Sequence, residues 1–391
     1  MSTRSPIAFP VGYQDLHPDV SLNFQLNRFW NWVGEPAMLD ELRTVAPTIS
    51  TYDDWTRQLL AQGEQALAGG RALAGAYLIR TAEFFMTARD PRQDIARDTF
   101  VNEVLAAYNI GPDHHHRVPY EGRQLSAYRL APDRPGGRIV VFGGFDSYIE
   151  EWMPILVAMC SEGLDVVAFD GPGQGAALKD GIPMTPQWHK PVAAVLDYFD
   201  LDDVTLLGFS LGGCLVMRAA AYEPRVRRVI AQDILTDFNA CYTRNAPGAA
   251  RVLIQQAAHL PGDVVDIVLN RARRHSLLVD WGIGNAQRVF GVQRPSQVLA
   301  AVRSLRTDEV SPQLTQDVLL LAGAKDHYVP LRQLGDQLST LNNATSVTAR
   351  LFTEAEHAHN HCQVGNLGLA LEVILDWLDD VGGRATNPRS R

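Results

Sequence analysis

VTLLGFSLGGCLVMRAA, Val204 to Ala220, is an apolar run, then Gly208-Phe-Ser210-Leu-Gly212, then a stretch of small residues with helical character. A serine between glycines, with a buried strand before it and a helix after it, is a nucleophile elbow. The turn is tight, and strand and helix approach closely only where side chains are absent. A serine held there stands on a strained turn at a helix N-terminus, whose amides stabilise developing negative charge. The five-residue pattern alone recurs by chance; the flanking strand and helix give it weight. Ser210 is the candidate nucleophile.

Outward from this turn, short apolar runs alternate with helical stretches from Gly137 onward. They are RIVVFGG (138–144), DVVAFDG (165–171), VTLLGFS (204–210), RRVIAQD (227–233), DVLLLAG (317–323) and SVTARLF (346–352). Their continuous β-branched and leucine-rich character predicts strands buried on both faces, hence an α/β fold with a mostly parallel sheet. Before them, RVPYEGRQLSAYRLAP (117–132) reads as a hairpin with its bend at Glu121-Gly122. The segment from Phe238 to Pro312 interrupts the rhythm. Ala-Arg-Val-Leu-Ile (250–254) and Val-Val-Asp-Ile-Val-Leu (264–269) there have helical spacing and predict a helical lid. A lid in that place covers the carboxyl ends of the strands, where open α/β sheets bind ligands. The region from Leu22 to Tyr108 is rich in Ala and Leu and reads as helical. The expected domains are therefore a helical cap over 1–125, a core over 126–380 with its lid at about 238–312, and a flexible tail over 381–391.

The acid and base of a serine triad follow the nucleophile in this kind of fold, acid first. Asp326 stands just past the end of the buried run DVLLLAG, where a carboxylate can orient an imidazole. Asp233, after RRVIAQD, competes with it, and Asp237 is a weaker rival. The base falls in Thr353-Glu-Ala-Glu-His357-Ala-His359-Asn-His361-Cys-Gln363, and the residues alone leave all three histidines open. No zinc-type pattern accompanies them, and no metal or other cofactor is expected. His114-His115-His116 reads as a loop at the domain junction, and His327 as a lining residue.

The 391 residues carry a net charge of −9, with 46% apolar and 20% charged residues, which excludes an electrostatic fit to nucleic acid or an anionic membrane. No apolar run reaches the ~20 residues of a membrane span, and MSTRSPIAFPVGYQDL lacks the pattern of a secretory signal. Cys160, Cys214, Cys241 and Cys362 show no paired spacing and read as reduced thiols of a cytoplasmic protein. The partner expected is a small-molecule substrate, with a homodimer as a further expectation.

Several stretches carry a resemblance. They are YLIRTAEFF (77–85), GGFDSYIEE (143–151), DGPGQG (170–175), the elbow, LAGAKDHYVP (321–330) and His361-Cys-Gln363. With these the chain resembles the α/β-hydrolases that include the fungal yellowish-green pigment hydrolase and bacterial dihydroxypseudooxynicotine hydrolase. The likeness runs from about Leu22 to Trp377. It implies the α/β-hydrolase fold with an N-terminal helical domain and a helical lid, and it maps the base onto His361. It also implies an oxyanion hole formed by the Phe145 and Leu211 amides, with Gly144, Asp146, Phe209 and His327 at the substrate. Glu150 and Glu151 are expected to anchor the following helix, and Asp170 to be a structural turn residue. The chemistry implied is hydrolysis of a carbon–carbon bond of β-diketone type, or of an ester, in a polyketide-like or catabolic substrate of secondary metabolism. An acyltransferase or cyclase would use the same three residues. Helical sequence both before the core and inside it suits a ring-bearing substrate in an apolar, water-excluding pocket.

Overall fold

The computed structural model describes residues 8–87, 89–244 and 260–386. The chain divides into two compact units. One comprises Ile110–Gln316 and Tyr328–Thr345; the other comprises Met1–Asn109, Asp317–His327 and Ser346–Arg391.

The first of these holds six strands: β1 (His115–Tyr120), β2 (Arg123–Leu130), β3 (Gly137–Phe142), β4 (Leu164–Phe169), β5 (Val204–Phe209) and β6 (Val226–Gln232). They lie in the order β1-β2-β4-β3-β5-β6. β1 and β2 form the expected hairpin, turning at Glu121 and Gly122 with φ of 44° and 77°. Paired left-handed residues give a turn whose twist matches that of the flanking strands. β2 joins β4 antiparallel, and the β4-β3-β5-β6 pairings are parallel. Every residue of β5 is buried, as its unbroken apolar run requires.

The region expected to form a lid carries helices Phe238–Tyr242, Gly262–Arg273, Leu277–Val289 and Pro295–Arg303. Val265, Leu269, Ile283 and Leu299 form its own small core. The expected helix at 250–254 lies outside the described residues.

The other unit holds helices α1 (Val20–Val33), α2 (Pro36–Val45), α3 (Tyr52–Ala68), α4 (Ala72–Glu83) and α5 (Gln93–Ala107), the parallel strands β7 (Asp317–Gly323) and β8 (Ser346–Phe352), and helix Leu367–Thr386. α1 starts on Asp19, whose carboxylate accepts the Ser21 and Leu22 amides. All residues from Leu22 to Trp32 are buried, polar ones included. Asn23 Oδ1 accepts the Leu16 and His17 amides, and Asn27 exchanges two hydrogen bonds with the Gln14 backbone. The polar face of α1 therefore fixes the chain that precedes it. In α4, Arg80 is buried beside Glu83 at 2.6 Å and lies over the Phe29 and Phe84 rings. Within YLIRTAEFF, then, a charged residue serves the core.

The compact division does not follow the expected boundary at 125, which falls inside β2; the helices end at Ala107 and the division lies at Asn109/Ile110. The tail expected from 381 is helical as far as Thr386, because Val381 remains buried on the last turns of its helix. Among the described residues no helix is long and apolar enough to cross a membrane.

Candidate active site

Ser210 follows β5 with φ of 59°, a left-handed conformation that a non-glycine residue holds only under strain. Its amide donates to the Gln232 carbonyl at 2.7 Å, and its carbonyl accepts the Gly213 amide at 2.8 Å as helix Gly212–Ala220 begins. The glycines are required by contact. A Cβ on Gly208 would lie 2.1 Å from the Gly212 carbonyl oxygen, and one on Gly212 would lie 2.8 Å from the Gly143 oxygen.

The loop after β3 lies against this turn. A Cβ on Gly144 would sit 2.8 Å from the Leu211 nitrogen and 2.9 Å from the Phe209 oxygen, so only a bare backbone fits. The Gly144 backbone thus lies against Leu211 and Ser210. Phe145 packs on Phe238 at 5.2 Å between ring centres, and on Tyr242 and Phe290 at 6.3 Å each. Asp146 next to it is half-buried. The Phe209 ring is fully buried and stacks on Trp152 at 4.0 Å, since its strand is buried on both faces. Glu150 and Glu151 are buried in the short helical turn before helix Met153–Ser161, and Glu150 accepts from the Tyr128 hydroxyl. Asp170 is a turn anchor, accepting the Ile149 amide at 3.1 Å and the Ala176 amide at 2.9 Å. Asp237 caps helix Phe238–Tyr242 by accepting the Ala240 amide, and Asp233 follows β6.

Asp326 and His361 meet in the other unit. Asp326 Oδ2 lies 2.6 Å from His361 Nδ1, and both side chains are buried, at 3% and 8% exposure. A carboxylate at Nδ1 fixes the ring so that Nε2 is the nitrogen able to act as a base. The two turns are locked together by backbone. Lys325 donates to the His359 carbonyl and Ala324 to the Phe352 carbonyl, each at 2.9 Å. Gly323 presses on the His359 and Asn360 carbonyls, where a Cβ would come within 2.5 Å. His359 instead packs its ring near Tyr13, and burial lowers its pKa; His357 closes a turn at φ 57°. His327 contacts the Phe24 ring at 4.8 Å.

Sequence reasoning missed the brace behind this histidine. Asn31 of α1 accepts the Gly365 amide at 2.7 Å across 334 residues, and Phe24 of the same helix lies 6.0 Å from the His361 ring. No local signal marks either residue as part of a site. Replacing Asn31 with Ala leaves a buried amide without its acceptor, and we expect a loss of about 1–3 kcal/mol of stability. Urea unfolding of the variant measures it.

A serine on a strained elbow after a buried strand, with an acid and a histidine paired past later strands, defines the α/β-hydrolase architecture. Residues 137–282 match the family described as alpha/beta hydrolase fold. The chain is 30% identical to hydrolyase poxO of Penicillium oxalicum, over 82% of this chain and 85% of that protein. It is 28% identical to 20-hydroxy-prefusarin hydrolase FUS2 of Gibberella moniliformis, over 91% and 95%. The solved structure of 2,6-dihydroxy-pseudo-oxynicotine hydrolase superposes with a TM-score of 0.63 at 21% identity, covering 90% of this chain and 95% of that one. The chain belongs to the α/β-hydrolase family, is similar to these fungal hydrolases along most of its length, and is a hydrolase enzyme.

Proposed function

We propose that the enzyme is a serine hydrolase in which Ser210, His361 and Asp326 act as one triad through an acyl-enzyme. The observation that carries this is the buried 2.6 Å contact between Asp326 and His361 Nδ1, which prepares an imidazole for proton transfer. His361 takes the Ser210 proton as the serine oxygen attacks a carbonyl carbon, and the Phe145 and Leu211 amides receive the resulting oxyanion. Collapse of the adduct breaks the bond to the leaving group, which takes the proton from His361. Water, deprotonated by the same imidazole, then releases the acid and restores Ser210.

The substrate in this proposal is a ring-bearing β-diketone or ester of polyketide type. Support comes from the aromatic wall on the oxyanion loop, where Phe145 meets Phe238, Tyr242 and Phe290. A flat apolar ring stacks favourably there. Among the described residues the buried Tyr242 hydroxyl has no hydrogen-bond partner, and burial raises its pKa, so it stays a neutral donor suited to a substrate oxygen. The name of FUS2 gives 20-hydroxy-prefusarin as that relative's substrate, which supports a natural-product substrate here. In a β-diketone the leaving group is an enolate, which the second carbonyl stabilises and which ends as a methyl ketone.

Product analysis in ¹⁸O-water tests this. Incubation with a 1-aryl-1,3-diketone and with the matching aryl ester should place one ¹⁸O in the carboxylic acid released from each cleaved substrate. Cleavage of neither compound, or an acid product free of label, contradicts the proposal.

A further inference from the structure

We infer that Gln174 is a positioning residue that aims the Phe145 amide at the oxyanion. Gln174 stands in the DGPGQG turn after β4, immediately before helix Gly175–Lys179, and is only 2% exposed. Its side-chain nitrogen donates to the Gly143 carbonyl at 2.6 Å and to the Gly144 carbonyl at 3.1 Å. Its side-chain oxygen accepts the Gly171 amide at 3.1 Å. That last bond decides which way the amide faces, because a backbone N–H can only donate. The two hydrogens of the NH₂ group are therefore both directed to successive carbonyls of the loop beside Ser210.

The consequence follows from peptide geometry. In a planar trans peptide the C=O and the N–H point in opposite directions. The Gly144 carbonyl and the Phe145 N–H share one peptide plane, so holding the carbonyl toward Gln174 turns the N–H away from it. Gly144 is itself the residue whose bare backbone rests on the Leu211 nitrogen, the other proposed oxyanion donor. Without such a clamp, a loop built on Gly143-Gly144 has unusual rotational freedom about both residues. Gln174 removes that freedom before substrate arrives, and preorganised donors give catalysis its electrostatic advantage. The turn carrying Gln174 is fixed in its own right by Asp170, which accepts the Ile149 and Ala176 amides. Only a primary amide can donate twice and accept once within this space. Glutamate would face two carbonyl oxygens with acceptors, and methionine would offer no donor.

This inference rests on the oxyanion-hole reading of Phe145 and Leu211, and its test is read separately from that of the triad. Gln174→Glu and Gln174→Met are compared with the wild-type enzyme on a nitrophenyl ester, together with inhibition by a trifluoromethyl ketone. The inhibitor's hemiketal on serine places its oxyanion where the transition state does. We expect kcat to fall about 10- to 100-fold in both variants, somewhat less than when an oxyanion donor is removed outright, because the Phe145 amide is misaimed and not lost. KM should stay within about twofold, and the inhibition constant should rise by the factor lost in kcat/KM. A kcat near the wild-type value in either folded variant overturns the inference, as does a rise in KM that accounts for the whole loss. If only one variant folds, that variant carries the comparison. Fluorophosphonate labelling of Ser210 in the wild-type enzyme stands apart: its absence would remove the triad reading, whereas labelling with unchanged kcat in Gln174→Met would remove only the role of Gln174.

Discussion

Replacing Ser210 with Ala should lower kcat by about 10⁴-fold or more, with KM changed little. In the proposed mechanism the hydroxyl is the group that forms the covalent bond. The substitution is mild structurally. Ser210 already holds φ at 59°, and alanine bears the same left-handed strain without adding bulk. Its amide still donates to the Gln232 carbonyl and its carbonyl still accepts from Gly213, since both are backbone bonds. A loss of activity in this variant therefore reports lost chemistry and not lost fold, provided thermal unfolding matches the wild type. What activity remains measures binding and oxyanion stabilisation without the nucleophile. Steady-state kinetics on an aryl ester, with the protein purified away from host esterases, is the measurement. Turnover close to wild type would contradict the assignment.

The second large effect is expected at Asp326. Changing it to Asn should cost about 10⁴-fold in rate near neutral pH while leaving the fold intact. Asp326 Oδ2 lies 2.6 Å from His361 Nδ1, and in the proposed triad the ring carries its hydrogen on Nδ1 and keeps Nε2 as an acceptor. An asparagine can turn its NH₂ group toward Nδ1, which then accepts and forces the hydrogen onto Nε2. The imidazole is then in the wrong tautomer to take a proton from serine. Asparagine also lacks the negative charge that stabilises the imidazolium formed during the reaction. Asp233→Asn is the informative comparison, because Asp233 is the rival acid at the end of β6. If the Asp233 variant proves the more damaged in kcat, Asp326 is not the triad acid.

How much of this was legible in the sequence depends on how local each determinant is. All six apolar runs from 138 to 352 became strands, and β5 and β7 are buried nearly throughout, as continuous runs of β-branched residues and leucine require. The expectation of burial on both faces fails for β8, whose Thr348 lies among exposed residues and where only Phe352 is buried. The hairpin bend was legible because Glu121-Gly122 is a left-handed pair in a two-residue turn. The elbow carried its own explanation in Gly208 and Gly212, each set by a contact a Cβ would break. Three histidines at alternate positions were not separable by spacing. What distinguishes His361 is its place against Asp326, which depends on the backbone bonds that tie the two turns together. The brace from α1 to the histidine loop was invisible for a different reason. Asn31 and Gly365 are 334 residues apart, and a single asparagine in a helix carries no sign of what it meets. Nor does a helix-to-strand change in pattern tell which strands share a compact unit with which helices, as β7 and β8 do with the N-terminal helices.

The central claim is that Ser210 is the nucleophile of a hydrolase working through a covalent intermediate. Reaction of the whole protein with a fluorophosphonate, followed by intact-mass measurement and peptide mapping, addresses it most directly. One adduct per chain is expected, on the peptide containing Ser210, with activity lost in proportion to labelling and no adduct in Ser210→Ala. An adduct at another serine, or full activity in a protein fully labelled at Ser210, would contradict it.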